Sequence, residues 1–220
     1  MTEINRRDAV KALGAIPLAG MLDWSPPGIQ RATQMVAALH AADETGVAAP
    51  YKPKFFTAHE WKTVRVLADI IIPKDERSGS ATDAKAPEFV DFMLAEKDST
   101  EQSKVSMRGG LAWFDNEFRG RFGTDFLGAT DAQRTQVLDD IAWPKKALPA
   151  LMRSVNWFTR FRGNIGSAFY SSQMGWQDLQ YIGNTFNPNW NGCPKAATDK
   201  LGVSYEEFDA SLEQRRKANQ

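Results

Sequence analysis

The chain has one cysteine, Cys193, and two histidines, His40 and His59. A single thiol excludes an internal disulfide framework and any site built on several thiolates. Two imidazoles, one in a linker-like stretch and one at a helix start, are too few to favour a transition-metal site. A charge excess is missing too. Lys and Arg number 27 and Asp and Glu number 27, so there is no bulk field to draw nucleic acid or an anionic membrane. The Gly-x-Gly-x-x-Gly of a dinucleotide site, the Cys-x-x-Cys-His of covalent haem and the Gly-x-Ser-x-Gly elbow of a hydrolase are all lacking. No cofactor is therefore expected in this chain, and a redox role would need cofactors carried by another. Nor is there a long apolar run. The N-terminal one falls well short of the roughly 20 residues that span a bilayer.

What is abundant is aromatic. Seven Trp and 13 Phe in 220 residues supply either a well-filled core or an exposed surface awaiting a partner. No segment of convincing length alternates with period two, whereas apolar residues recur at spacings of three and four from Phe55 onward. The expected fold is all-α: an irregular helical bundle with an aromatic-rich irregular C-terminal segment. Three regions are expected: an N-terminal address over 1–22, an Ala- and Pro-rich tether over 23–54, and a helical domain over 55–220.

The opening "NRRDAVKALGAIPLAGML" resembles a twin-arginine export signal. Arg6, Arg7 and Lys11 form the basic front, and a moderately apolar stretch to Leu22 is weakened as a lasting helix by Gly14, Pro17 and Gly20. Asn5 stands where the usual motif has Ser or Thr, and Ala9 where it often has Phe. No clean Ala-x-Ala follows Leu22. Val36-Ala37-Ala38 and Val47-Ala48-Ala49 both remain as cleavage sites.

Within the body, Thr57 to Glu60 reads as a capping box opening a helix that carries Trp61, Val64, Leu67, Ala68 and Ile71 and stops before Pro73. His59 is then a solvated first-turn residue. Pro87 opens a short helix with Phe89, Val90, Phe92 and Met93. A longer one from about Thr100 presents Met107, Leu111, Phe114, Phe118 and Phe122. Thr130 to Gln133 caps the next, with Val137, Leu138 and Ile141. Ala147, Leu148, Leu151, Val155, Phe158 and Phe161 continue the pattern until "RGNIG" interrupts it. The segment "SSQMGWQDLQYIGNTFNPNWNGCP" then mixes Gly, Pro and Asn with aromatics, the composition of a docking surface or a buried loop. Ser204 to Glu207 caps a final helix. Acidic neighbours such as Asp139-Asp140 and Glu206-Glu207 face different directions on a helix and read as solvated.

The stretch "FFTAHEWKTVRVLADIIIPKDERSGSATDAKAPEFVDFML", with Thr57 to Glu60, Ile71, Ile72, Pro73 and Asp75, resembles the opening of gluconate 2-dehydrogenase subunit 3 proteins. "GWQDLQYIGN" and "WNGCP" resemble that family's aromatic closing region, so the likeness runs from about Phe55 to Val203. The resemblance implies a small, cofactor-free subunit of a periplasmic dehydrogenase. Its partner would be an FAD-containing flavoprotein of the glucose-methanol-choline type that oxidises a sugar or sugar acid. Electrons would leave through a cytochrome c subunit carrying haem c. The twin-arginine translocase would export the folded pair, which reaches the inner membrane only through its partners. On this reading Trp176, Tyr181, Phe186, Trp190 and Cys193 form the partner interface. Cys193 is either buried as a small apolar residue or paired with another chain. Two alternatives remain at this level: a free periplasmic sugar-binding protein that stacks its ligand on Trp176, Tyr181 and Trp190, and a small stand-alone all-α enzyme.

Overall fold

The computed structural model describes residues 24–46, 49–181, 183, 192–206, 209–210, 214 and 217. Among them are eight α-helices and no strand. In chain order these are α1 (Pro26–Glu44), α2 (Ala58–Ile71), α3 (Ala86–Ala95), α4 (Glu101–Phe122), α5 (Asp131–Ala142), α6 (Met152–Tyr170), α7 (Gln173–Asp178) and α8 (Lys195–Leu201), with a 3-10 turn at Pro149–Leu151. None of them is long and apolar enough to cross a membrane. The chain divides into two compact units at the Tyr181–Ile182 boundary.

The helix starts follow their local chemistry. Thr57 accepts from the Glu60 amide while Glu60 accepts from the Thr57 amide, and Thr130 and Gln133 repeat the exchange. Each box satisfies two amides that the first turn leaves without partners. Ile72 ends α2 as expected before Pro73.

In the first unit, α6 packs against α2, α3, α4, α5 and α7. Phe114, Phe118 and Phe126, with Phe161 and Phe169 of α6 itself, are fully buried. The crossing of α4 and α6 depends on Gly110, where a Cβ would lie 1.9 Å from the Trp157 ring. Any side chain there would force the indole out of its stack on Phe161, whose centroid is 5.3 Å away. The "RGNIG" interruption does not occur. Gly163 and Gly166 are buried inside an unbroken α6, where burial against neighbouring helices outweighs the roughly 1 kcal/mol helix penalty of each glycine.

The expected tether over 23–54 is also corrected. Most of it is α1, capped by Ser25, whose hydroxyl accepts from the Gly28 amide at 3.2 Å. Pro26 and Pro27, which read as a loop, sit in the first turn, where a missing N–H costs nothing. Ala32 and Val36 are buried in the core, and α1 packs on α3. Cleavage at Val36-Ala37-Ala38 would sever this packed helix. Val47 and Ala48 lie outside the described residues, as do Arg6, Arg7 and Lys11.

Even the acidic residues of α3 are buried: Glu88 is 3% exposed and Asp91 is fully enclosed. Burial pushes the Glu88 carboxyl above its ordinary value of 4.5, and Arg65, 2.9 Å from Oε1, offsets this only in part. The folded chain thus holds this proton to higher pH than the unfolded one. Its contribution to stability is greatest at low pH and declines as pH rises from the unfolded value through the folded one. Thermal melts at about pH 5 and about pH 8 should show the wild type losing stability relative to Glu88→Gln. Parallel profiles would mean that Glu88 titrates as it does in the unfolded chain.

Candidate functional site

Two segments far apart in sequence meet on one face of the first unit. The first is the connection after α2. Asp75 accepts from the amides of Arg77 and Ser78 at 2.8 and 2.9 Å, a local turn typical of a short acidic side chain. Thr82 donates its amide and hydroxyl to Asp69, both at 2.8 Å, and Ala81 and Ala84 are buried. This charged loop is therefore well anchored. The second is α7, which Arg77 holds by donating to the Asp178 carbonyl at 2.7 Å.

Where α6 ends, Ser172 accepts from the Gly175 amide at 3.1 Å and donates to the Phe169 carbonyl at 2.6 Å. Gly175 makes the sharp return possible, since a Cβ there would lie 2.2 Å from the Phe169 carbonyl oxygen. The helix closes with Gln180 at φ 55, and the Tyr181 amide donates back to the Trp176 carbonyl at 2.9 Å. That closure normally uses glycine or asparagine at the left-handed position. The consequence is a rigid platform presenting Trp176 (47% exposed), Leu179 (53%) and Tyr181 (60%) to solvent. The two rings meet edge to face, with centroids 6.4 Å apart and planes at 62°, so they do not form one flat stacking surface. Of the expected interface residues, the structure thus brings Trp176 and Tyr181 together. Phe186 and Trp190 lie outside the described residues.

In the second unit Cys193 is exposed, which excludes the reading of a buried apolar thiol. Its amide donates to the Tyr205 hydroxyl at 2.8 Å. Gly192, at φ 87, has the Tyr205 ring 2.8 Å from where a Cβ would stand. The backbone beside the thiol is thereby held.

A second exposed apolar group was not legible in sequence. Trp143, Leu148 (66% exposed) and Met152 surround the 3-10 turn, although spacing placed Leu148 in the core stripe. Pro144 and Pro149, which bracket it, were the signal that the helical period breaks there.

His59 is not simply solvated, because its Nε2 lies 2.6 Å from Asp115 Oδ2. With Asp125 these groups could share a cation, their ligand atoms lying within 4.8 Å of one another. Asp115 is already engaged by His59, by Arg119 at 3.7 Å and by the Phe126 amide at 3.4 Å, so the cluster reads as a clasp between α2 and α4. Likewise Asp140 pairs with Arg121 at 2.6 Å instead of with Asp139.

The family model for gluconate 2-dehydrogenase subunit 3 matches residues 58–189, which include both segments of the platform. The chain belongs to that family. Neither a curated protein nor a solved structure matches it. Membership makes this chain one subunit of a gluconate 2-dehydrogenase-type complex, associated with the other subunits. The subunit 3 fold seen here consists of a helical core around α6 and, on its surface, a loop and a short helix clamped by Arg77.

Proposed function

We propose that this chain is the non-catalytic small subunit of a periplasmic sugar or sugar-acid dehydrogenase. It docks on an FAD-containing flavoprotein of the glucose-methanol-choline type and exports it through Arg6, Arg7 and Lys11, which address the folded pair to the twin-arginine translocase. Electrons from the flavin pass to a cytochrome c subunit carrying haem c. The observation that carries this reading is the exposed Trp176, Leu179 and Tyr181 on a platform held by segments that lie within the family match. A pre-ordered aromatic group binds without a large entropic penalty, and each side chain covered by a partner contributes roughly 1.5–3 kcal/mol.

The exposed Cys193 extends the reading. In an oxidising compartment an accessible thiol forms a bond to an opposing cysteine whose Cα comes within about 7 Å. A tagged chain recovered from the periplasm should bring a yellow flavoprotein in stoichiometric amount, and under reducing conditions Trp176→Ser with Tyr181→Ser should release it. On non-reducing electrophoresis the pair should migrate as one band that reductant splits in two and that Cys193→Ser abolishes. Recovery of a colourless chain alone would defeat the docking reading. Two bands without reductant, from an intact yellow complex, would defeat only the covalent tether.

A further inference from the structure

The chain is neutral as a whole, but its charge is segregated. Between Asp140 and Asp178 there is no acidic residue, while Lys145, Lys146, Arg153, Arg160 and Arg162 are all cationic. Outside this stretch every arginine among the described residues pairs with a carboxylate: Arg31, Arg65, Arg77, Arg108, Arg119, Arg121 and Arg134. Inside it none does. Arg160 turns to the Ser106 hydroxyl of α4 at 2.7 Å. Arg162 has a buried Nε without a partner, and its Nη1 reaches only the Ala142 carbonyl, at 3.5 Å, where α5 ends beside Trp143.

Lys145, Lys146 and Arg153 are exposed, and their side chains form no ion pair among the described residues. They fall on the connection from α5 into the first turn of α6, which also carries Trp143 and Met152, each 37% exposed, and Leu148. Uncommitted cations and exposed apolar side chains thus share one short segment. The segment is held in shape. The amides of Lys146 and Ala147 both donate to the Trp143 carbonyl, at 2.9 and 3.0 Å, the Leu151 amide donates to the Leu148 carbonyl at 2.9 Å, and Pro144 and Pro149 fix their own φ.

We propose that this connection is a peripheral contact with the surface of an anionic lipid bilayer, made by this chain itself. No described helix is long and apolar enough to cross a membrane, so the contact is shallow. Trp143 belongs at the level of the headgroups, where an indole buries its body and keeps its N–H wet. Leu148 and Met152 supply the apolar area, and Lys145, Lys146 and Arg153 meet the phosphates, the two contributions on which interfacial binding rests. Arg162 adds positive charge behind the turn without touching lipid. An acidic protein face would meet the same charges, but lysine is depleted from protein–protein interfaces, whereas a fluid lipid surface needs no matching shape. The contact uses none of the Trp176 platform and does not depend on the docking reading.

The test floats the full-length chain with vesicles of phosphatidylcholine alone or with a third of the lipid as phosphatidylglycerol. The chain should float with the anionic vesicles only, and less as salt rises. Lys145→Gln with Lys146→Gln and Arg153→Gln should weaken binding at least about tenfold, since each cation near such a surface contributes roughly fivefold. Lys52→Gln with Lys74→Gln and Lys97→Gln makes the same change in net charge elsewhere and should bind like the wild type. Both variants keep Arg6, Arg7 and Lys11, so any pull of the N-terminus on lipid is common to them. Trp143→Ser with Leu148→Ser should weaken binding about tenfold at constant charge. All these side chains among the described residues are exposed, and circular dichroism should not change. Absence of flotation would overturn the proposal, as would equal flotation with neutral vesicles or equal loss in the two triple variants. Absence of flotation together with loss of the flavoprotein from the Lys145, Lys146 and Arg153 variant would overturn it too, and assign the surface to an acidic partner chain.

Discussion

Replacing Arg6 and Arg7 together by lysine should leave both this subunit and its flavoprotein in the cytoplasm. The substitution keeps the charge of the N-terminus. It removes two planar guanidinium groups, whose forked donors a receptor can read and which an ammonium does not reproduce. On the proposed escort role the folded pair depends on this address alone, so the effect should be close to all-or-none. Fractionation followed by blotting for both subunits, with flavin fluorescence of the periplasmic fraction, measures it. The flavoprotein reaching the periplasm beside a stranded small subunit would refute the escort role while leaving docking intact.

The second large effect is expected at Asp91, inside α3. Its Oδ2 accepts from the Tyr51 hydroxyl at 2.8 Å and the Lys54 amide at 2.7 Å, and its Oδ1 accepts from the amides of Phe55 and Phe56, each at 3.0 Å. One carboxylate thereby holds the whole approach to α2. Asp91→Ala strands four donors, and at about 1–3 kcal/mol for each buried unsatisfied group the loss should reach about 4 kcal/mol even if some find water. That is a large share of the 5–15 kcal/mol typical of a domain, equivalent to a fall in Tm of about 10 °C or more for a chain of this size. Asp91→Asn should cost about half as much, since its oxygen still accepts one pair of donors while its NH2 faces the other pair. Tyr51→Phe removes one donor and should cost only about 1 kcal/mol. Urea unfolding of the three variants provides the ranking, and an Asp91→Ala chain within about 1 kcal/mol of the wild type would show that water satisfies the segment instead.

Much of the helical frame was legible because its signals are local. Thr57 and Glu60 are three residues apart, as are Thr130 and Gln133, and a capping box involves nothing else. Met107, Leu111, Phe114 and Phe118 bury the stripe that their spacing defines. The failures were cases where a neighbour overrode the local signal. Pro26 and Pro27 read as a loop because proline breaks helices, yet α3 offers α1 a surface and the prolines sit where breaking costs nothing. Leu148 kept the helical period but landed on a turn that leaves it 66% exposed among the described residues.

The candidate sites divide in the same way. Composition and the resemblance of the aromatic segments pointed to Trp176, Tyr181 and Cys193 as interface residues, because many aromatics in a Gly- and Asn-rich stretch need something to pack on. That Trp176 and Tyr181 stand exposed on a clamped platform depends on Arg77 reaching Asp178, a hundred residues along the chain. The exposure of Cys193 likewise depends on how its own unit folds. The sequence by itself determined the helical class, the family and the cofactor motifs that are lacking, since these reside in periodicity and short motifs. Only the tertiary structure decided that Asp91 is an anchor and that Glu88 is buried against Arg65. Burial and hydrogen-bond satisfaction are properties of what surrounds a residue, and in a bundle that is mostly chain far away in sequence.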